Sequence, residues 1–219
     1  MPYNSSIVLY YKIMMKPNQE ATVFIVEDNE DAREALCFLF ESVLLNTKSY
    51  SSADDFLEHY DPKCLGCLLI DVRMPGRSGL ELQEELIAQK AQIPTIITTA
   101  HADVPMAVRA MKAGAFDFLE KPINEELLLE RVRQAIEYDM HSRQRENQRQ
   151  QLLELIGKLT PREFQVMRKL MDGKSTKIIA YELKIGDKTV ETHRQHIMKK
   201  MRAKNVADLV RMGVSCGIS

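Results

Sequence analysis

Cys67-Leu68-Leu69-Ile70-Asp71-Val72-Arg73-Met74-Pro75-Gly76-Arg77-Ser78-Gly79 is the stretch that decides the fold. Four apolar residues, Cys67–Ile70, deliver one carboxylate, Asp71, to the end of an extended run beginning near Leu65. Pro75, Gly76 and Gly79 then turn the chain sharply. A short apolar run bounded by such breakers predicts a buried central strand. A charge at its C-terminal tip sits where open α/β sheets place their ligand sites.

Working outward, the same pattern repeats. Upstream, Ala21–Val26 is a β-rich run ending at Glu27-Asp28. Ala32, Ala35, Leu36, Leu39, Phe40 and Val43 then follow at helical spacing, with Glu30 and Asp31 suiting the dipole at the helix start. Thr47–Tyr50 reads as a short strand, and Ser51-Ser52 as the cap of a helix holding Phe56 and Leu57. Downstream, Ser78 starts a helix through roughly Lys90. Pro94–Thr99 is a strand, Asp103 caps a helix stopped by Gly114, and Ala115–Leu119 is a strand ending at Glu120-Lys121-Pro122. Asn124 caps a further helix through about His141. Strands alternating with helices imply a parallel sheet covered on both faces. The expected fold is α/β and flavodoxin-like, a five-stranded parallel sheet in the order 2-1-3-4-5.

Residues 139–157 read as a linker, helical or not, and His141–Gln151 within them is polar and charged, with no Pro or Gly. From Leu159 onward every apolar spacing is helical, so a small all-α domain follows. The expected organisation is an N-terminal extension (1–20), an α/β domain (21–138), the linker (139–157) and a helical domain (158–219). Residues 1–14 are expected to be poorly ordered, and Met15 reads as an alternative start.

Charge divides along the same line. Residues 158–219 hold 14 Lys and Arg against 6 Asp and Glu, whereas the rest holds 16 against 25. A basic end joined to an acidic body suggests two domains with different partners, nucleic acid for the basic one. Cys37, Cys64, Cys67 and Cys216 make no disulfide framework, and the Cys64–Cys67 spacing lacks the second pair of a zinc ribbon. Cys67 reads instead as a small buried residue. No apolar run approaches the ~20 residues of a membrane span, and no signal peptide is evident. A reducing cytoplasm fits, with no membrane partner.

Asp28, Asp71, Thr99 and Lys121 fall at the C-terminal ends of the first, third, fourth and fifth expected strands. Parallel strands bring those ends to one edge. Glu27, Asp28 and Asp71 held together repel, each pair by on the order of 4 kcal/mol at ~4 Å and an effective dielectric near 20. Protons or a divalent cation must relieve that, and hard oxygen ligands suit Mg2+. Lys121 offers a point charge and Thr99 a hydroxyl for an oxyanion. A carboxylate nucleophile in such company suggests phosphoryl transfer to Asp71.

On these residues the stretch 21–138 resembles a response-regulator receiver domain. Val26-Glu27-Asp28, Leu69–Gly76, Thr98-Thr99-Ala100-His101 and Glu120-Lys121-Pro122 carry the match, and Asp103–Gly114 resembles the NarL/FixJ group. The resemblance implies that Asp71 accepts phosphate from a phosphohistidine of a sensor histidine kinase. It implies that Asp28, Asp71 and the Arg73 backbone carbonyl bind Mg2+, with Glu27 acting through water. Thr99 and Lys121 would hold the phosphoryl oxygens, and Phe118 would swing inward when Thr99 moves. Glu27 stands where Asp is commoner.

In the basic part, Thr160 reads as an N-cap, Pro161 as the first helical residue and Glu163 as the partner in a capping box. Helices are expected over 175–183 and 187–201. With Val190 at zero on the latter, Ile197, Met201 and Arg194 fall within about 40° at ~100° per residue. Lys188, Thr192, Gln195 and Lys199 fall between about 140° and 200°. One apolar side and one basic, amide-bearing side suit a recognition helix in a major groove. Residues 158–215 resemble the LuxR-type DNA-binding domain through Leu159–Glu163, Ile179-Ala180, Lys188-Thr189-Val190 and His193-Arg194. The resemblance implies base contacts from Glu191, Thr192 and Gln195, and backbone contacts from Lys188, His193 and Lys199. Lys184 and Gly186 depart from the usual Gly and Ser, and Asp187 reads as an alternative cap. The last helix, Val206–Met212, resembles the one that pairs two such domains on DNA.

Together these readings imply a transcriptional regulator of a two-component system. It would dimerise on phosphorylation through its fourth helix and fifth strand and bind double-stranded promoter DNA. RNA polymerase stands open as a further partner. It would accept a phosphoryl group and promote its own dephosphorylation without being a turnover enzyme. A haloacid-dehalogenase-like phosphatase would need a second Asp two residues after Asp71, where this chain has Arg73. A ligand-sensing LuxR-type protein would carry a different first domain, and a regulator indifferent to phosphate would not need the full set Asp28, Asp71, Thr99 and Lys121.

Overall fold

The computed structural model describes residues 21–218, so the expectations for residues 1–14 and Met15 lie outside the described residues. The chain groups into two compact units that divide between Ser142 and Arg143, within the stretch expected to be a linker.

In the first unit β1 (Thr22–Val26), β2 (Asn46–Tyr50), β3 (Gly66–Asp71), β4 (Thr95–Thr99) and β5 (Asp117–Glu120) form one parallel sheet, order β2-β1-β3-β4-β5. Between them run α1 (Glu30–Ser42), α2 (Ala53–His59), α3 (Gly79–Ala88) and α4 (Val104–Lys112). Side chains alternate across the sheet, as the pleat requires. Val23, Ile25, Cys67 and Leu69 pack with Leu39, Phe40 and Val132 on one face. Phe24, Val26, Leu68 and Ile70 pack with Phe56, Leu82 and Leu86 on the other. Cys67 is fully buried, and burial, then the nearby charge of Asp139, push its thiol pKa far up.

Local chemistry starts each helix. Asn29, Ser52, Ser78 and Asp103 accept backbone N–H groups at the N-termini of α1 to α4, and Ser78 with Glu81 forms a capping box. Gly114 follows α4 at φ +83, a conformation that costs glycine little. At Gly79 a Cβ would sit 2.3 Å from the Asp71 carbonyl oxygen. Glycine is what lets α3 start against the tip of β3.

Two of the bounds that differ from the sequence reading have a clear local cause. β5 begins at Asp117 rather than Ala115, because Ala115 N–H closes the turn on Ala110 O before pairing with β4 begins. Helix α5 runs Glu125–Gly157, past the expected stop near His141, so of the two readings of the linker the helical one holds. No breaker interrupts 141–156, so nothing ends it earlier.

The second unit contains α6 (Pro161–Met171), α7 (Thr176–Leu183), α8 (Asp187–Met201) and α9 (Val206–Ser215). Val166, Met167, Leu170, Ile179, Val190, Ile197, Met201 and Leu209 form its core. Thr160 and Glu163 exchange both capping-box hydrogen bonds, at 3.2 and 2.7 Å. Asp187 is not the cap of α8: Gly186 holds that place, without a side-chain bond, and Asp187 is the first helical residue. The reason lies just upstream. Lys184 takes φ +52, in the left-handed region, so the chain turns early and enters the helix through Gly186. As the first residue, Asp187 still complements the helix dipole. Among the described residues no helix is long and apolar enough to cross a membrane.

Candidate functional site

Register assembles the acidic site. Val26 pairs with Ile70, so Glu27 and Asp28 leave β1 beside Asp71 at the tip of β3. Asp71 pairs with Thr98, placing Thr99 one residue beyond it, and Thr99 pairs with Glu120, placing Lys121 one residue beyond that. Carboxylate oxygens of Glu27, Asp28 and Asp71 lie within 4.8 Å of one another. Glu27 and Asp71 are buried and Asp28 is exposed.

Lys121 meets the repulsion directly. Its Nζ donates to Glu27 Oε2 at 2.7 Å and to Asp71 Oδ1 at 2.5 Å. Burial alone would lower the Lys121 pKa. The hydrogen bonds to Asp71 and Glu27, and their charges, outweigh it and raise the value. Sequence reasoning keeps Lys121 for an oxyanion and misses this pairing. The Arg73 backbone N–H donates to Asp71 Oδ2 at 2.7 Å, while the Arg73 side chain is exposed. Asp71 therefore has both oxygens held before any ligand arrives.

Thr99 is fully buried, and its Oγ1 accepts the His101 N–H at 3.3 Å. The switch expected of Thr99 would therefore act on the segment leading into α4. Phe118 is half-buried against Val72, Leu80, Ile97, Ala110 and Ala115. Two residues that sequence reasoning passes over also serve the region. Arg33 Nη1 donates to the carbonyls of Glu27 and Asp28. Gln83, buried on α3, donates from Nε2 to Ala110 O and Ala113 O at the end of α4, both at 3.2 Å. Helical spacing alone marks Gln83 only as a polar residue among leucines.

On α8, Val190, Ile197 and Met201 are fully buried, as the helical phase requires. Lys188, Glu191, Thr192, Gln195 and Lys199 are exposed. His193 is half-buried, and its Nδ1 finds no hydrogen-bond partner among the described residues. Glu191 accepts a hydrogen bond from Thr176 Oγ1 at 2.7 Å, and Thr192 Oγ1 donates back to Lys188 O. Lys200, adjacent to Lys199, turns inward and donates to Glu163 Oε2 at 2.6 Å, with His196 Nδ1 3.7 Å from the same carboxylate. Burial would raise the Glu163 pKa, but the bonds from Lys200 and the Thr160 backbone bring it down to about 2.

Comparison with known proteins matches two stretches of the chain to family models. A family model described as the response regulator receiver domain matches residues 23–133. A second, described as bacterial regulatory proteins of the luxR family, matches residues 157–213. The chain is 44% identical over 200 residues to nodulation protein W of Bradyrhizobium diazoefficiens, covering 91% of this chain and 88% of that protein. It is 42% identical over 197 residues to the transcriptional regulatory protein FixJ of Azorhizobium caulinodans, covering 90% and 93%. Among solved structures, the response regulator StyR matches with a TM-score of 0.80 at 44% identity, over 88% of this chain and 98% of that one.

Proposed function

The chain belongs to the NarL/FixJ family of response regulators, phosphorylation-dependent transcriptional regulators of two-component systems, and from that premise we propose which of its residues carry the signal. Asp71 is the phosphate acceptor. One carboxylate oxygen attacks the phosphorus of a phosphohistidine on the sensor kinase. A P–O bond forms as the P–N bond breaks, and the imidazole leaves with the electron pair and takes a proton from solvent. Lys121 and Thr99 hold the phosphoryl oxygens, so Lys121 must exchange part of its present bonding to Glu27 and Asp71.

Three carboxylates this close fit a hard, oxygen-liganded cation. Mg2+ would be held by Asp28, Asp71 and the Arg73 carbonyl, with Glu27 reaching it through water. When bound it supplies positive charge against the phosphoryl oxygens. Self-dephosphorylation by water at the same site resets the protein, which otherwise turns over no substrate.

Residues 21–138 receive the phosphate, 139–157 connect, and 158–219 bind DNA. Helix α4 exposes Val104, Val108 and Met111 at spacings of four and three, an apolar stripe suited to a second copy of the chain, with β5 beside it. The stripe follows directly on the Thr99–His101 segment. Phosphate that favours the paired form over the single one then promotes dimerisation, and only by as much as it favours it. A dimer spans two promoter half-sites about one helical turn apart. Glu191, Thr192 and Gln195 read bases, while Lys188, His193 and Lys199 meet phosphates. The protein works in the cytoplasm, where kinase and promoter meet, with RNA polymerase as the next partner.

The observation that carries this reading is the convergence of Asp28, Asp71, Thr99 and Lys121 on one sheet edge. Phos-tag electrophoresis with promoter capture, with and without acetyl phosphate, tests it. Asp71→Asn should abolish both the shifted band and the phosphate-dependent gain in DNA binding. Labelling of Asp71→Asn at the wild-type rate would remove the proposed acceptor.

A further inference from the structure

Asp28 is the member of the acidic set whose placement is least explained. Its carboxylate is exposed and makes no hydrogen bond or ion pair among the described residues, unlike Glu27 and Asp71, which Lys121 holds. Whatever presents it must therefore act through the backbone. Arg33, in the first turns of α1, does so. Its Nη1 donates to the Glu27 carbonyl at 2.9 Å and to the Asp28 carbonyl at 3.3 Å.

Those two oxygens belong to the two peptide planes that flank the Asp28 Cα. Each plane is rigid, so only φ and ψ of Asp28 remain between them. Tying an oxygen of each plane to one guanidinium nitrogen narrows the range of both angles. The far side of the loop is closed independently: Asn29 caps α1 through Ala32 N–H at 2.9 Å, and Arg33 N–H itself donates to Asn29 O at 2.9 Å. The turn is thus clasped by one side chain that also belongs to the helix it opens.

We propose that Arg33 is a positioning residue of the phosphorylation site, holding the peptide planes on either side of Asp28 so that its carboxylate faces the divalent cation. The proposal rests on the reading that Glu27, Asp28 and Asp71 hold Mg2+. Arginine suits the task better than lysine, because a planar, pre-organised guanidinium loses less freedom for each bond it makes.

Mg2+ titration calorimetry on the full chain tests it, using wild type, Arg33→Lys and Arg33→Met. Residues that support metal ligands typically alter affinity by 10–100-fold, so Arg33→Met should raise the Mg2+ dissociation constant about tenfold, with Arg33→Lys falling between it and wild type. Acetyl phosphate labelling provides a second readout. Half-saturating Mg2+ should rise by the same factor, while the rate at saturating Mg2+ returns to the wild-type value. Damage to the fold would lower that limiting rate instead. Thermal unfolding without Mg2+ identifies any variant that fails to fold, and Arg33→Lys then carries the comparison. Wild-type Mg2+ affinity in the folded variants would overturn the role of Arg33 and leave the acidic site standing. A wild-type protein that binds no Mg2+ would overturn both.

Discussion

Lys121 and Lys199 carry the same ammonium group, and the protein uses the two in opposite ways. Lys121 is partly buried and bonded to Glu27 and Asp71, carboxylates delivered by other strands. Lys199 stands exposed on α8 and makes no ion pair among the described residues, while its neighbour Lys200 is drawn inward to Glu163. The sheet edge engages its lysine internally, against two of its three carboxylates, and that lysine can reach a ligand only by rearranging those contacts. The helix face leaves its charges in water, ready for an external phosphate. A site of the first kind works as a switch and one of the second kind as a docking face. The reason is that exchanging a paired charge is costly, whereas an exposed one is only weakly engaged beforehand.

The largest expected effect breaks this contrast at Lys121. Lys121→Met should leave Glu27 and Asp71 facing each other without a cation. With Lys121 only partly buried, a loss of about 2–3 kcal/mol is expected in Mg2+-free denaturant titration, below the roughly 3–5 kcal/mol of a fully buried pair. Added Mg2+ should restore more stability to the variant than to the wild type; equal gains would mean that Lys121 does not relieve the acidic set.

Glu163 tests the ion pair that Lys200 makes with a buried carboxylate in the helical unit. Glu163→Ala removes the capping box and strands Lys200, for an expected loss of about 1–3 kcal/mol. The pH dependence has a definite sign. The Glu163 pKa falls from an ordinary 4.5 to about 2 on folding, so between those values the unfolded chain binds the extra proton. The stabilisation is complete above about pH 4.5 and fades as pH drops towards 2. Acid unfolding followed by circular dichroism should show a shallower decline across that window for Glu163→Gln. An unchanged slope would remove Glu163 as its source.

Two more local effects, each confined to DNA binding, sharpen the other side. Gln195→Ala should cost about 1–3 kcal/mol at a single base-pair position if the amide reads a base edge in bidentate fashion. Uniform losses over all sequences, measured by competition binding, would make it a backbone contact. Lys199→Ala should weaken every sequence alike and reduce the salt slope of log K by about 0.9. An unaltered slope would place no phosphate at Lys199.

The two regions also differ in how far they can be read from the chain. The α8 face needs only one helical phase, because all its residues lie within the 15 positions of one regular element. Val190, Ile197 and Met201 then have to point inward, and they do. The strand tips are equally plain, since each apolar run ends in a polar residue that the sheet cannot bury mid-strand. Caps made by a side chain are legible at Asn29, Ser52, Ser78, Asp103 and Thr160, whereas Asn205, whose side chain caps α9, passes unread. Where the cap is backbone alone, at Gly186, residue type points to Asp187 instead, because the φ of Lys184 cannot be seen in a string of residues.

By itself, then, the sequence determined the alternation of strands and helices, the acidic and basic halves, and the residues that stand at each strand tip and on each helix face. These are local matters, settled by periodicity, capping and breakers within a few residues. Only the tertiary structure decided that Lys121 reaches Glu27 across 94 positions, that Arg33 clasps the peptides around Asp28, and that Gln83 holds the end of α4. Those contacts depend on strand register and helix packing, which place side chains to within an ångström, and no spacing rule along a chain carries that information.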